Sequence, residues 1–153
     1  MRTYATIAEI KAVQQRAGLH FFDDDTMEHW RSVVYEPVIG GRLFITGERY
    51  DEDDPERYSV REVRSDGRIS IIVPDDAEST DRYGYWSDRT AAIAWARSLD
   101  PTRPSHYLLA VVRRRGEPID TRPIAEWRTI AGGGCDADWR EVVDFLARTD
   151  APD

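Results

Sequence analysis

Two histidines and several carboxylates lie close together early in the chain: His20, Asp23, Asp24, Asp25, Glu28 and His29. Asp25 and His29 stand four residues apart, so a helix would place them on one face. A carboxylate beside an imidazole is a pairing used in general acid–base catalysis, and it can begin a metal site. A metal centre needs further ligands, and His106 is far away in the sequence. Asp25, Thr26 and Glu28 also read as a helix start, which accounts for Asp25 without chemistry. A small enzyme using the His20 to His29 region is therefore the alternative reading of function.

A stronger feature is the loop of Asp51, Glu52, Asp53, Asp54, Pro55 and Glu56, with five carboxylates in six residues. As a calcium loop it would put Asp51 and Asp53 at positions 1 and 3 and Glu62 at position 12. It fails at position 5, which is Pro55, and at position 6, where Glu56 replaces the required glycine. A solvated hairpin loop or a negative contact surface remains. Further acidic clusters at 23–25 and 75–81, the latter with Asp75, Asp76 and Glu78, extend the second idea. Beside them, Tyr83, Tyr85 and Trp86 form an aromatic group that suits a recognition patch, or packing beside Trp95. These eight carboxylates of the two later clusters and three aromatics make up the candidate interaction surface.

Other motifs carry less. Gly132, Gly133 and Gly134 precede a helix, but no Lys–Ser/Thr pair and no GxGxxG pattern accompanies them. Asp136 and Asp138 would compete with a phosphate for the helix amides. Cys135 has acidic neighbours that raise a thiol pKa. Arg113, Arg114 and Arg115 form a short basic run. No Gly-x-Ser-x-Gly elbow is present. No catalytic residue, cofactor site or metal site is expected.

The 153 residues carry a formal net charge of −8 and a sequence pI near 4.9. That balance disfavours direct binding to nucleic acid or to an anionic membrane, both of which need clustered cations. Five Trp, seven Tyr and four Phe support a sizeable core. Twenty of the basic residues are Arg and one is Lys11, a bias that fits GC-rich coding. The single Cys precludes an intrachain disulfide and points to a reducing compartment. Without a signal-like start or a long apolar run, a soluble cytoplasmic protein is expected.

The elements that must position these residues follow from periodicity and punctuation. Thr6 and Glu9 form a capping box before a helix over 7–17, with Gly18 as its stop. A second helix is expected over 26–34, with Met27, Trp30 and Val34 inward and Pro37 and Gly40–Gly41 ending it. Residues 43–49, 58–63 and 69–73 alternate as strands, with Asp66-Gly67 as the hairpin signal. Together they make a three-stranded antiparallel meander over 42–73. Residues 82–86 suit a short edge strand or an aromatic loop. Ser87 is read as the cap of a helix over 88–99. The apolar run 107–113 reads as a buried strand, and 116–118 as a turn. Residues 119–130 fit a helix or a strand equally. A last helix over 136–148 buries Trp139, Val142, Val143 and Leu146. The fold class is α+β: one domain over 1–153, an antiparallel sheet with its central meander packed against several helices, any internal boundary falling near 100–105.

The run Gly18-Leu19-His20-Phe21-Phe22-Asp23, with Thr26, Met27, Trp30 and Ser32, then Phe44-Ile45-Thr46, Glu48 and Arg57-Tyr58-Ser59-Val60-Arg61, resembles a domain of unknown function in small proteins of actinobacteria and their phages. The resemblance covers about residues 18–73. It implies an accessory role in a mobile genetic element and carries over no site residues. The leading expectation is a non-enzymatic acidic protein that docks on a protein partner with a basic surface, one version being an inhibitor that occupies a nucleic-acid-binding groove. Self-association through an exposed aromatic face is a further alternative.

Overall fold

The computed structural model describes residues 1–116, 124–131 and 133–149. In chain order the elements are α1 (Ile7–Arg16), α2 (Asp24–His29), β1 (Val33–Ile39), β2 (Leu43–Glu48), β3 (Arg57–Val63), β4 (Ile69–Ile72), α3 (Arg89–Ser98), α4 (His106–Arg115), α5 (Ile124–Ile130) and α6 (Asp136–Thr149). The four strands form one antiparallel sheet in the order β1-β2-β3-β4. The α+β class and the central meander stand as expected from sequence, and the sheet gains a fourth strand.

Local signals set the first elements. Thr6 accepts a hydrogen bond from the Glu9 amide, and Glu9 accepts one from the Ala5 amide, so the start of α1 is capped from both directions. Ile7, Ile10 and Val13 are buried, each burial contributing about 1.5–3 kcal/mol. Gly18 N–H bonds to Gln15 and Leu19 N–H to Gln14, closing the helix. At the β3–β4 turn, a Cβ on Gly67 would lie 2.8 Å from Val13 Cγ1. The Asp-Gly pair therefore serves both the turn and the seating of α1 upon it.

Both faces of the sheet are covered, which is why every residue of β2 is buried. Leu43, Ile45, Val60 and Ile72 face α3 with Trp86, Ala92 and Ala96. Phe44 and Val63 face α1, joined by Phe21 and Phe22. A third cluster holds Leu108, Val112, Trp127, Trp139 and Val142 from α4, α5 and α6.

Three expectations are corrected. The helix expected over 26–34 ends at His29, and Arg31 takes φ 48. Val33, Val34 and Tyr35 then pair with Gly47, Thr46 and Ile45, because a β-branched and aromatic run suits a pleated surface. Trp30 points outward rather than in. Pro37 lies within β1, an edge strand, where a missing N–H is tolerated. The run 107–113 belongs to α4, not to a strand. It is apolar around most of its circumference because Tyr107 touches the sheet cluster while Leu108, Leu109, Val111 and Val112 sit in the helical cluster. The α3 cap is Asp88, which accepts from the Thr90 amide, rather than Ser87. Residues 82–86 form a loop with one bridge, Tyr58 to Trp86. Of the ambiguous segment 119–130, residues 124–130 are helical, and 119–123 lie outside the described residues, as do 117–118 of the expected turn.

Two buried carboxylates join the layers. Glu62, in β3, accepts the Ser105 hydroxyl and the amides of His106 (2.8 Å) and Tyr107 (3.4 Å) at the start of α4. Arg42 lies 4.0 Å from it and donates to the carbonyls of Pro101 and Arg103. Asp138, in α6, accepts both the amide and the hydroxyl of Ser65 in the β3–β4 turn. Glu62→Ala should lower stability by about 3–5 kcal/mol, since it leaves the Arg42 charge buried without a counter-ion. Glu62→Gln should cost less, because its amide oxygen still accepts at the helix start. Urea unfolding of the three proteins checks the order.

Candidate functional site

The antiparallel order brings several loops to one end of the sheet. β2 ends and β3 begins there, β4 ends there, and β1 enters there. The 49–56 loop, the segment after β4 and the 30–32 link therefore share that end. Direct contacts tie them together. Arg49 N–H bonds to the Trp30 carbonyl, Arg31 to the Tyr50 carbonyl (3.2 Å), and Arg57 to Asp81 (3.1 Å).

Of the residues expected to form an interaction surface, this end gathers Asp51, Glu52, Asp53, Asp54, Asp75, Asp76, Glu78 and Tyr83. Among the described residues, none of these seven carboxylates forms an ion pair. Asp51 and Asp76 shape their own loops by accepting the amides of Glu52, and of Glu78 and Ser79. The Ser79 bonds hold the Asp76 carboxyl below its usual range. Tyr83 is 61% exposed. Two exposed aromatics not singled out in the sequence join it: Tyr50, 82% exposed, and Trp30, 49% exposed. Tyr50 carried a signal, since it stands after the last strand residue and directly before Asp51. Trp30 was masked by its helix-like spacing from Met27 and Val34.

The structure takes the other three candidates inward. Glu56 turns back over Gly47, where any Cβ would collide with its carboxylate, to meet Tyr35 and Arg49. Trp86 is buried against Trp95, ring centroids 5.7 Å apart. Tyr85 donates to Glu48 (2.7 Å). Glu48 also receives Arg61 (2.6 Å), whose Nε reaches Ser59. Thr46 and Ser59 bond through their hydroxyls. Burial and the Glu48 carboxylate push the Tyr85 phenol up to about 12. Glu48, Arg61 and Tyr85 of this row line a cavity of about 270 Å³, together with Phe21, Met27 and Trp30.

A larger groove, about 620 Å³, runs beside β4 toward Asp75 and Asp76, with α4 as its other wall. Arg103, Arg113 and Arg114 line it, as does His106. Burial, with Arg42 and Arg103 nearby, pushes the His106 imidazole down to about 4.

The remaining motifs resolve structurally. His20 pairs with Asp23 at the surface (2.7 Å), and His29 stacks edge-on against Trp30. No hydrogen bond joins Asp25 and His29. Among the described residues no group of three or more His, Cys, Asp or Glu is placed to hold a metal. The Gly133 and Gly134 carbonyls are taken by Trp139 and Arg128, while Gly132 lies outside the described residues. Burial first, then Asp138, pushes the Cys135 thiol up. Among the described residues no helix is long and apolar enough to cross a membrane.

The fold and this end define an α+β protein with a sheet covered on both faces and acidic loops at one edge of its core. The chain belongs to a family of unknown function, DUF7447, which it matches over residues 6–93. That span holds the whole sheet and the acidic loops at its end. No curated protein and no solved structure matches the chain.

His106 gives a pH prediction. The folded state keeps its imidazole neutral down to about pH 4, while the unfolded chain protonates it near the ordinary 6.5. The unfolded state thus binds more protons between those values, so stability contributed by this group rises from about pH 4 to 6.5. Replacing His106 with Gln should flatten that part of the profile, read as the urea midpoint against pH.

Proposed function

We propose that this protein is a non-enzymatic binding protein whose acidic, aromatic sheet end docks on a protein partner with a basic surface. The observation that carries this is the convergence on one end of the sheet of seven carboxylates that form no ion pair among the described residues and three exposed aromatics, Trp30, Tyr50 and Tyr83. Carboxylates held in no ion pair project their field into solvent, which steers a cationic partner and fixes its orientation. Exposed tyrosine and tryptophan supply the desolvated contacts that charges alone do not. The same field repels phosphate backbones, so the fitting partner is a protein, and a nucleic-acid-binding groove has the matching sign. With this reading goes the proposal, supported by sequence resemblance, of an accessory role in an actinobacterial phage or mobile element.

Affinity capture from an actinobacterial lysate, repeated with purified partner, tests it. Binding should weaken as ionic strength rises and should be competed by duplex DNA. The variant Asp51→Asn/Asp53→Asn/Asp54→Asn should lose capture while keeping its melting temperature. Tyr83→Ala should cost about 2 kcal/mol, roughly thirtyfold in Kd. Binding indifferent to salt and to all these changes would sink the reading.

A further inference from the structure

The outer edge of β4 is unpaired, and the main-chain directions along it can be read from its neighbours. In β3, the Val63 amide bonds to Arg42 on the β2 side. The Arg64 amide reaches Arg68, and Tyr58 exchanges two bonds with Trp86, both on the β4 side. Bonding directions alternate along a strand. The inward-bonded partners in β4 are therefore Ser70 and Ile72, opposite Glu62 and Val60. Ile69 and Ile71 turn their N–H and C=O groups away from the sheet. Among the described residues nothing bonds to them.

Ile71 lines the 620 Å³ groove, and Ile69 precedes it on the same strand edge. One wall is α4, which reaches the α3 side of the sheet through Tyr107. The other is the returning segment, where Gly84 sits against the side chains of Ile71 and Val73, on the side occupied by Tyr85 and Phe21. The walls carry opposite charge. Arg113 and Arg114 line the helix side and Asp75 and Asp76 the loop side. No ion pair crosses between them among the described residues.

A free edge invites strand addition, which proteins otherwise block with proline, charge or a covering element. A strand added here would send successive side chains to opposite walls. We propose that the groove accepts an extended peptide segment of a protein partner as a fifth strand on β4, its acidic side chains facing Arg113 and Arg114 and its basic side chains facing Asp75 and Asp76. Main-chain bonds to Ile69 and Ile71 give the affinity, and charge alternation gives the selectivity. This surface is the side of the sheet; it shares Asp75 and Asp76 with the acidic end proposed above to dock on a basic partner, but not the loop that carries Asp51, Asp53 and Asp54.

The test is titration of the full, isotope-labelled chain with an end-capped octapeptide of alternating Glu and Lys, followed by amide chemical shifts. The Ile69 and Ile71 amides should move saturably and by more than those of Ser70 and Ile72. The same peptide methylated at alternate backbone nitrogens should bind at least tenfold more weakly, having lost its donors. Arg113→Glu/Arg114→Glu should weaken binding roughly tenfold, whereas the Asp51/Asp53/Asp54 variant should not change it. Absent binding, shifts confined to other surfaces, or equal affinity of the methylated peptide would overturn the proposal. So would sedimentation showing a dimer whose formation alone moves Ile69 and Ile71, which would assign the edge to a second copy.

Discussion

The Glu62 carboxylate organises the molecule. It sits one residue from the end of the sheet's third strand, fully buried, and accepts at the N-terminus of α4, where the helix has orphan amides to satisfy. Burial pushes its carboxyl up, opposed by the Ser105 hydroxyl, Arg42 and the helix amides. A lone carboxylate at this depth would be prohibitively costly. The Ser105 hydroxyl, the helix amides and Arg42 make it tolerable together, and Arg42 in turn grips the carbonyls before the helix. One charge thus fixes the direction in which α4 leaves the sheet. α4 then supplies one wall of the groove and the platform on which α5 and α6 pack.

The arginine bias acquires a structural use. Among the described residues six of the seven cation–aromatic contacts involve Arg, including Arg61 over Phe21, Arg64 over Tyr107 and Arg89 over Tyr35, so several planar guanidiniums serve as packing elements. Such stacking lets a charged residue lie flat on a ring, which an ammonium does less well. It also explains how guanidiniums can be numerous while, among the described residues, seven carboxylates at one sheet end form no ion pair: several guanidiniums are engaged with rings.

Features governed by near neighbours were legible in the sequence. The box of Thr6 and Glu9, the Asp66-Gly67 turn and the apolar faces of α1, α3 and α6 each depend on residues within a few positions. α4 was misread because a helix buried on several sides loses the periodicity that distinguishes it from a strand. β1 was misread because Met27, Trp30 and Val34 imitate a helical stripe. The candidate surface was half legible. Solvated carboxylates in loops could be foreseen, and the antiparallel meander already implied that the loop after β2 and the segment after β4 emerge together. The inward turns of Glu56 and Tyr85 could not, because their partners, Tyr35 and Glu48, are distant in sequence. For the same reason nothing local in Asp138 announced its bond to Ser65.

The family match stops at residue 93, inside α3, while the groups that satisfy Glu62 begin at Ser105. The matched span is therefore not electrostatically closed. Its third strand holds an acid that has Arg42 within the span but takes its hydrogen-bond donors, Ser105 and the amides of His106 and Tyr107, from beyond it. A segment cut at the end of the matched span would leave Glu62 with Arg42 but without its donors, so this one side chain fastens the sheet to the helices that follow residue 93.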